Sequence, residues 1–152
     1  MIKVYTDGAA KGNPGNGGYG AILDYQGKRK ELSEGFRMTT NNRMELLAVI
    51  RALEAIKKPG WEVVVYSDSK YVVDSVEKGW LKGWVVKNFK GKKNADLWKQ
   101  YLEASKNHKV KFQWVKGHAG HPENERCDQL AVEAAEGIDL KVDKVFEDEN
   151  KG

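Results

Sequence analysis

The sequence predicts an α/β fold: a mixed five-stranded sheet, made of a three-strand antiparallel meander and two parallel strands, flanked by helices. Three β-type segments joined by short links come first, and segments that alternate between helix and strand follow. Short links join antiparallel neighbours, whereas a helical crossover joins parallel strands. This order of segments therefore predicts one sheet whose faces are covered by helices.

The meander is predicted from alternation and turn residues. Residues 2–6 alternate apolar and polar side chains of β-favouring types, which predicts a strand that ends at Asp7. After a glycine-dense loop, residues 19–25 and 29–36 predict the second and third strands, with a tight turn at 26–28 between them. Links of this length favour antiparallel neighbours.

Capping residues and helical spacing predict the next elements. A run of capping-type residues at 39–42 predicts the start of a helix, which Pro59 and Gly60 end. Its inward positions are Leu46, Val49, Ile50, Leu53 and Ile56. The β-branched run at 62–66 predicts a buried fourth strand, and a short helix is expected over residues 70–76.

The last elements repeat the helix–strand–helix order. Residues 94–106 predict a helix whose inward residues are Leu97, Trp98, Tyr101 and Leu102. Residues 109–115 alternate as a fifth strand, with Val110, Phe112 and Trp114 on one face. Pro122 at a first helical position opens a last helix that ends near Glu136.

Bulk properties predict a single domain over residues 1–138 and a flexible, mixed-charge tail over residues 139–152. No apolar run of about 18 residues and no signal-peptide pattern occurs, so we expect a cytoplasmic protein without a membrane span. The single cysteine, Cys127, excludes an intramolecular disulfide framework. No long exposed apolar helix favours a dimer, so we expect a monomer without an obligate protein partner.

The charge balance favours a polyanionic partner. The formal net charge is +4, but the first 138 residues carry +6 because the tail holds five acids and three lysines. A basic body suits a nucleic acid, although many ordinary proteins have similar values.

Four carboxylates are predicted to converge on one site. Asp7 and Asp68 each follow a predicted strand and precede a small residue, and the carboxyl ends of strands are where open α/β sheets place their sites. Each has an ordinary alternative, Asp7 as a turn residue and Asp68 as a helix N-cap. Glu45 and Asp128 lie on the inward faces of their helices, where an unpaired charge is costly unless it meets a cation. Hard cations such as Mg²⁺ prefer oxygen ligands of this kind, and Gly8 would give clearance to metal and phosphate.

His118 lies in a glycine-containing link between the fifth strand and the helix that carries Asp128. An imidazole there could visit the acidic site as a proton carrier or an aid to product release. The alternative is a loop histidine without a role.

A basic insert at residues 78–93 interrupts the pattern of elements. It holds six lysines, no acid, and the aromatic residues Trp80, Trp84 and Phe89. A core helix explains the tryptophans, and a solvated face is the plain alternative for the lysines. Lysines with aromatic planes between them suit a nucleic-acid backbone better.

Four motifs, in order and covering about residues 2–136, resemble bacterial ribonuclease H type 1. They are Tyr-Thr-Asp-Gly-Ala at 5–9, Thr-Asn-Asn-Arg-Met-Glu-Leu at 40–46, Tyr-Ser-Asp-Ser-Lys-Tyr-Val at 66–72, and Gly-His-Ala-Gly-His-Pro-Glu-Asn-Glu-Arg-Cys-Asp at 117–128. The resemblance implies the ribonuclease H-like fold and an endonuclease that hydrolyses the RNA strand of RNA–DNA hybrids. It implies two Mg²⁺ ions, with Mn²⁺ as an alternative, and products with 5′-phosphate and 3′-hydroxyl ends.

The resemblance also assigns residues. The family's metal ligands match Asp7, Glu45, Asp68 and Asp128, and its mobile histidine matches His118. Its contacts to the hybrid's minor groove match Asn13, Asn41 and Asn42, and its pocket for a DNA-strand phosphate matches Thr40 and Asn94. Its basic protrusion matches residues 78–93, with Trp80 and Trp84 in a DNA-contacting channel. From the lysine pattern of this insert, we expect Lys87 and Lys90 to bind nucleic acid as well.

Two positions depart from the family pattern. Met38 stands where an arginine often supports the phosphate pocket, and strand alternation would point the neighbouring Arg37 elsewhere. Lys70 replaces a glutamine that often contacts RNA. A hybrid-binding module without activity and a nuclease or integrase domain acting on DNA are the alternatives, which the complete acid set and the three asparagines disfavour.

Overall fold

The computed structural model describes residues 1–117 and 121–150 and confirms the predicted mixed five-stranded sheet. The strands are β1 Ile2–Lys11, β2 Gly15–Tyr25, β3 Lys28–Thr39, β4 Glu62–Ser67 and β5 Lys109–Trp114. The helices are α1 Asn41–Glu54, α2 Lys70–Glu77, α3 Trp80–Val86, α4 Ala95–Ser105, α5 Pro122–Glu136 and α6 Lys144–Glu149. The strand order is β3-β2-β1-β4-β5, with antiparallel pairing in the meander and parallel pairing of β4 with β1 and β5.

The first strand is longer than predicted, which corrects the position of Asp7. β1 continues to Lys11, and its second half pairs with the start of β2, so that Asp7 lies opposite Gly20 inside the antiparallel ladder. On its other side, β1 stops pairing with β4 after Tyr5. Asp7 is therefore at the end of the parallel pairing but not at the end of its strand.

Glycines in β2 allow a helix to lie unusually close to the sheet. A Cβ on Gly18 would come within 2.4 Å of the Ala131 carbonyl oxygen, and one on Gly20 within 2.3 Å of that of Cys127. Gly18 is predicted in a loop and Gly20 in a strand, and in the structure both admit the backbone of α5. This packing holds the middle of α5 against the part of β2 that pairs with Asp7 and Ala9 of β1.

Helix α1 forms the main core layer on one face of the sheet. Thr40 is its N-cap and accepts a hydrogen bond from the Arg43 amide at 3.2 Å, as the capping run predicts. Four of the five predicted inward residues are buried in the helix, whereas Ile56 lies beyond its end and is half-buried. Trp98 of α4, fully buried, extends this core toward the basic insert.

The carboxyl-terminal segment differs from the expected flexible tail over residues 141–149. The Lys141 amide donates to the Gly35 carbonyl at 2.8 Å, and the Lys141 carbonyl accepts from the Arg37 amide at 2.9 Å. Buried Asp143 accepts hydrogen bonds from Thr39 and Arg43. The charge pattern that suggested a solvated tail instead provides specific ion-pair partners for β3 and α1.

None of the helices in the described part of the chain is both long and apolar enough to cross a membrane.

Candidate metal centre and nucleic-acid interface

Three of the four predicted acids converge on one point. One carboxylate oxygen each of Asp7, Glu45 and Asp68 lies within 4.8 Å of the other two. Asp7 comes from β1, Glu45 from the second turn of α1, and Asp68 directly follows β4. Glu45 therefore faces inward, as its helical azimuth predicts.

Gly8 makes this convergence possible, but through a helix contact and not through the ligand clearance that was expected of it. A Cβ at this position would lie 2.4 Å from the Glu45 amide nitrogen and 2.6 Å from the Met44 carbonyl carbon. The missing side chain thus admits the backbone of α1 against β1, rather than a metal or phosphate as expected. Because α1 lies this close to β1, Glu45 lies beside Asp7.

Burial and mutual repulsion disfavour the charged forms of Asp7 and Glu45 in this cluster. Burial raises the pKa of Asp7 from its ordinary 3.8 to about 8, and the charges of Asp68 and Asp128 add to the shift. Burial likewise raises the pKa of Glu45, with repulsion from Asp7 and Asp68 adding to it. The Gly8 amide, which donates to Asp7 Oδ1 at 3.0 Å, opposes these effects only in part.

Two buried carboxylate oxygens without hydrogen-bond partners indicate which kind of ligand the acidic cluster can bind. Glu45 Oε1 and Asp68 Oδ1 are buried, and neither has a hydrogen-bond partner among the described residues. Buried acceptors without partners are costly, and a divalent cation would satisfy both while neutralising the mutual repulsion. The donor set, carboxylate oxygens only, suits a hard ion such as Mg²⁺.

Asp128, the fourth predicted acid, lies on α5 close to the others but is not part of the cluster of Asp7, Glu45 and Asp68. It lines a small cavity of about 20 Å³ with Asp7 and Asp68, and its interaction with Asp7 contributes to the raised pKa of that acid. His118 lies outside the described residues, although Gly117 and His121 on either side of it line the same cavity.

Four further residues line this cavity that the sequence pattern did not predict. They are Lys116, His121, Asn124 and Glu125. Glu125 precedes Asp128 by three residues in α5, so helical spacing alone would have placed the two acids on one face. Lys116 had no comparable signal, because the loop after β5 has no periodicity.

A second set of predicted residues lines a separate cavity of about 330 Å³. Asn13, Thr40, Asn42 and Asn94 all face it. Asn41 does not; its amide donates to Asn13 Oδ1 at 3.1 Å, and its own Oδ1 accepts from the Ala10 amide at 2.7 Å. Asn41 thus ties the loop after β1 to the start of α1. Four lining residues were not predicted: Lys93, Phe146, Glu149 and Asn150.

Arg43, also not predicted, links this cavity to the carboxyl-terminal segment. Its side chain, 2 % exposed, pairs with Asp96 and Asp143, with 2.7 Å contacts to each. Its NH1 also donates to Asn94 Oδ1 at 3.3 Å. Although burial opposes the charge, the two acids raise the pKa of Arg43, which therefore stays protonated. Arg43 precedes Leu46 and Ile50 on the inward face of α1, so spacing indicated its burial.

The structure shows the surroundings of Met38 and Lys70, the two residues that depart from the family pattern. Met38 is 40 % exposed, and Arg37 makes a bidentate pair with Glu147 of α6, at 2.8 and 2.9 Å. Arg37 is thus paired with α6 and is not among the residues that line the 330 Å³ cavity. The Lys70 ammonium lies 4.6 Å from the centre of the Trp114 ring, and the Trp114 indole donates to the Asp68 carbonyl at 3.1 Å.

The basic insert has an apolar inner face and a charged outer one. Trp84 packs against Trp98 at a centroid distance of 5.8 Å, and Phe89 is buried, so Phe89 belongs to the core. Trp80 is 47 % exposed, on the same α3 helix as Trp84. Lys87 and Lys90 are both exposed. The insert thus contains both a core helix and a charged surface.

Comparisons with known proteins agree on one family. The family model described as RNase H matches residues 1–136. A protein of Desulforamulus reducens named Ribonuclease H is 57 % identical over 147 residues, which is 93 % of this chain and 92 % of that protein. A protein of Shewanella oneidensis named Ribonuclease HI is 49 % identical over 99 % of this chain and 97 % of its own length.

Solved structures give the same result. The crystal structure of LC9-RNase H1, a type 1 RNase H with the type 2 active-site motif, matches 99 % of this chain and 81 % of its own, with a TM-score of 0.81 and 34 % identity. LC11-RNase H1, solved in complex with an RNA/DNA hybrid, matches 90 % of this chain and 97 % of its own, with a TM-score of 0.62 and 28 % identity.

Proposed function

Because this chain belongs to the ribonuclease H family of hydrolases, as its motifs predict, we propose that it cleaves the RNA strand of RNA–DNA hybrids with two Mg²⁺ ions. The observation that carries the proposal is the convergence of Asp7, Glu45 and Asp68 within 4.8 Å, with buried oxygens that lack partners. A solved relative bound to an RNA/DNA hybrid supports the substrate.

Asp7, Glu45, Asp68 and Asp128 would hold the ions, for which Mn²⁺ is an alternative. When bound, such ions would supply an activated water and charge stabilisation for a departing 3′-oxygen, which would give 5′-phosphate and 3′-hydroxyl ends. The carboxylates act chiefly as ligands, and their unfavourable mutual repulsion keeps the site poised for cations. His118 would carry protons or assist product release.

Recognition of the hybrid is assigned to two surfaces. Asn13 and Asn42, with Asn41 holding the loop between them, would face the minor groove, where the 2′-hydroxyl distinguishes RNA from DNA. Thr40 and Asn94 would bind a phosphate of the DNA strand. The basic insert, with exposed Trp80, Lys87 and Lys90 and half-buried Trp84, would follow the duplex backbone. We expect the enzyme to act as a cytoplasmic monomer.

Cleavage of a labelled RNA–DNA hybrid with Mg²⁺, compared with duplex DNA, duplex RNA and single strands, tests the substrate. We expect cleavage of the hybrid's RNA strand alone, with 5′-phosphate ends. Cleavage of DNA would favour the DNA-nuclease alternative, and hybrid binding without cleavage would favour the binding-module alternative.

The Asp68→Asn variant tests the metal-ligand role. We expect the cleavage rate to fall by at least about 100-fold, since even indirect partners of a metal site cost up to that much. Hybrid affinity should remain close to wild type, because Asp68 contributes a metal ligand and no hybrid contact. Asp139→Asn, at an exposed acid, is the matched control. Equal loss of binding and cleavage in Asp68→Asn would contradict the assignment.

A further inference from the structure

A cavity of about 440 Å³ lies beside the candidate metal centre, where β4, β5 and the start of α5 meet. We call it the aromatic cavity, because Tyr5, Tyr66 and Trp114 are in its wall. Lys116 and Asn124 line both this cavity and the small cavity of the acidic cluster. The two cavities therefore share a wall, and a strand held at the metal centre can extend into the aromatic cavity.

Two stacked tyrosine rings form part of the aromatic cavity. Tyr5 of β1 and Tyr66 of β4 are partners in the parallel register, and their ring centroids lie 5.0 Å apart with 15° between the planes. Gln113 of β5 is the next residue in this row, because it is paired with Tyr66, and its side chain is exposed. A planar base that displaces the flexible Gln113 side chain can therefore extend the stack on the outer side of Tyr66.

The charged residues of the wall favour an anion next to these rings. Lys116 is exposed and forms no ion pair with any residue in the described ranges. His121, also exposed, adds a group that can donate a hydrogen bond. Glu123 is the one acid among the described lining residues, and Arg29 pairs with it at 3.0 Å. The charge of Glu123 is thus compensated within the protein, whereas that of Lys116 is available to a ligand.

We propose that the aromatic cavity binds an unpaired nucleotide of the RNA strand, with its base stacked on Tyr66 and its phosphate facing Lys116. The proposal rests on the proposed function, because the strand that would be held at the metal centre, next to the shared wall, is RNA. Aromatic planes beside a positive charge are the pattern with which proteins bind single strands irrespective of their sequence. The chain should therefore prefer a hybrid whose RNA strand continues as a single strand beyond the end of the DNA strand.

The composition of the wall favours a nucleotide over a peptide of a partner protein. A peptide anchor needs an apolar pocket from which water is excluded. Val115 is the one aliphatic residue among the described lining residues, and it is only 9 % exposed. The side-chain amides of Gln113 and Asn124 instead offer donors and acceptors of the kind that bind the edges of unpaired bases. A base with its phosphate therefore matches the rings, the amides and the lysine together.

Nuclear magnetic resonance of the full chain, titrated with a short adenosine oligoribonucleotide in EDTA, tests the site directly. We expect saturable shifts of the amides of Tyr66, Gln113 and Val115. No cleavage is needed for this measurement, so a failure of the proposed hydrolysis and a failure of this site give different results. Shifts confined to residues 78–93, or no saturable binding, would overturn the proposal.

Fluorescence anisotropy in EDTA then compares a short blunt hybrid with hybrids that carry a single-stranded extension at either end of the RNA strand. We expect the extension at one of these ends to tighten binding. Tyr66→Leu should reduce that gain about tenfold, since stacking of a base on an aromatic ring contributes on that order. Tyr25→Leu, at a partly exposed tyrosine of β2 that does not line the cavity, is the matched control and should keep the gain.

Lys116→Gln keeps the test valid if Tyr66→Leu folds poorly, because Lys116 is exposed after the end of β5. On the extended hybrid it should lower the slope of log affinity against log salt by about 0.7, whereas Lys111→Gln should not. An equal gain from the RNA extension in wild type and Tyr66→Leu, an equal gain from an extension of the DNA strand, or no gain at either RNA end would each contradict the assignment.

Discussion

Asp7 carries a charge that the metal-free fold disfavours, and this makes stability depend on pH. Its pKa is raised from 3.8 to about 8, so the folded state holds the proton more tightly than the unfolded state does between those values. The resulting stabilisation is present below pH 4 and is lost as the pH rises through 8. Without metal, Asp7→Asn should therefore melt at a higher temperature than wild type above pH 8, and the difference should disappear near pH 4.

Thermal unfolding followed by circular dichroism in EDTA, across that pH range, measures this effect. Asp139→Asn should show no such pH-dependent difference, because Asp139 is exposed. A constant gap between Asp7→Asn and wild type at every pH would contradict a charge-based cause. Added Mg²⁺ should stabilise wild type more than Asp7→Asn by mass action.

At the residue scale, the sequence predicts the direction of a side chain better than it predicts which backbone segments lie close together. The azimuth of Glu45 on its helix is a local property, and its inward orientation is confirmed. The role of Gly8 is not local, because its missing side chain matters only where α1 meets β1, thirty-odd residues apart in sequence. Arg43 was missed for a related reason: its partners Asp96 and Asp143 lie far along the chain.

At the scale of elements, the strand ends were the least predictable feature. Glycine disfavours a strand in local terms, so residues 8–18 were predicted as a loop. In the structure, these glycines lie within β1 and β2, where Gly8 admits the backbone of α1 and Gly18 admits that of α5. Helix α1, signalled by a run of capping residues, and helix α5, signalled by Pro122, begin where predicted.

The carboxyl-terminal segment should contribute measurably to stability through Asp143. This side chain accepts hydrogen bonds from Thr39 and from Nε and NH2 of Arg43, all in a buried setting. Asp143→Ala leaves Arg43 with Asp96 as its remaining acid, so we expect a loss of about 2 kcal/mol in the free energy of unfolding. Urea unfolding measures it, and Asp139→Asn should stay within about 0.5 kcal/mol of wild type. An equally small change for Asp143→Ala would mean that the segment does not dock in solution.

The contribution of the basic insert to hybrid binding should be measurable as part of the salt dependence of the affinity. Lys87 and Lys90 are exposed just after α3, and we propose that they contact phosphates of the hybrid. Each lysine that neutralises a phosphate contributes about 0.8 to the slope of log affinity against log salt. Replacing both by glutamine should flatten the slope accordingly, whereas Lys111→Gln should not change it. Parallel salt lines for the double variant and wild type would refute the assignment.

At the scale of the whole molecule, the candidate phosphate pocket is assembled from four distant parts of the chain. The loop after β1 supplies Asn13, the start of α1 supplies Thr40, the approach to α4 supplies Lys93 and Asn94, and α6 supplies Glu149. Arg43 connects three of these parts through Asn94, Asp96 and Asp143. No local pattern predicts such a pocket, because its wall depends on the docking of the last helix.

The placement of Glu149 leads to a prediction specific to this chain. This exposed acid lines the cavity that we propose binds a DNA phosphate. The family resemblance implies that Met38 stands where an arginine often supports such a pocket. Repulsion between exposed charges is modest, so Glu149→Gln should tighten hybrid binding by about two- to fivefold, and less at high salt. The effect should vanish on a hybrid whose DNA strand carries neutral methylphosphonates, since no phosphate charge then meets residue 149. Glu133→Gln, an exposed change of equal charge on α5, controls for the net charge of the protein. Equal tightening by both variants would attribute the effect to overall charge and would leave the last helix without a part in binding.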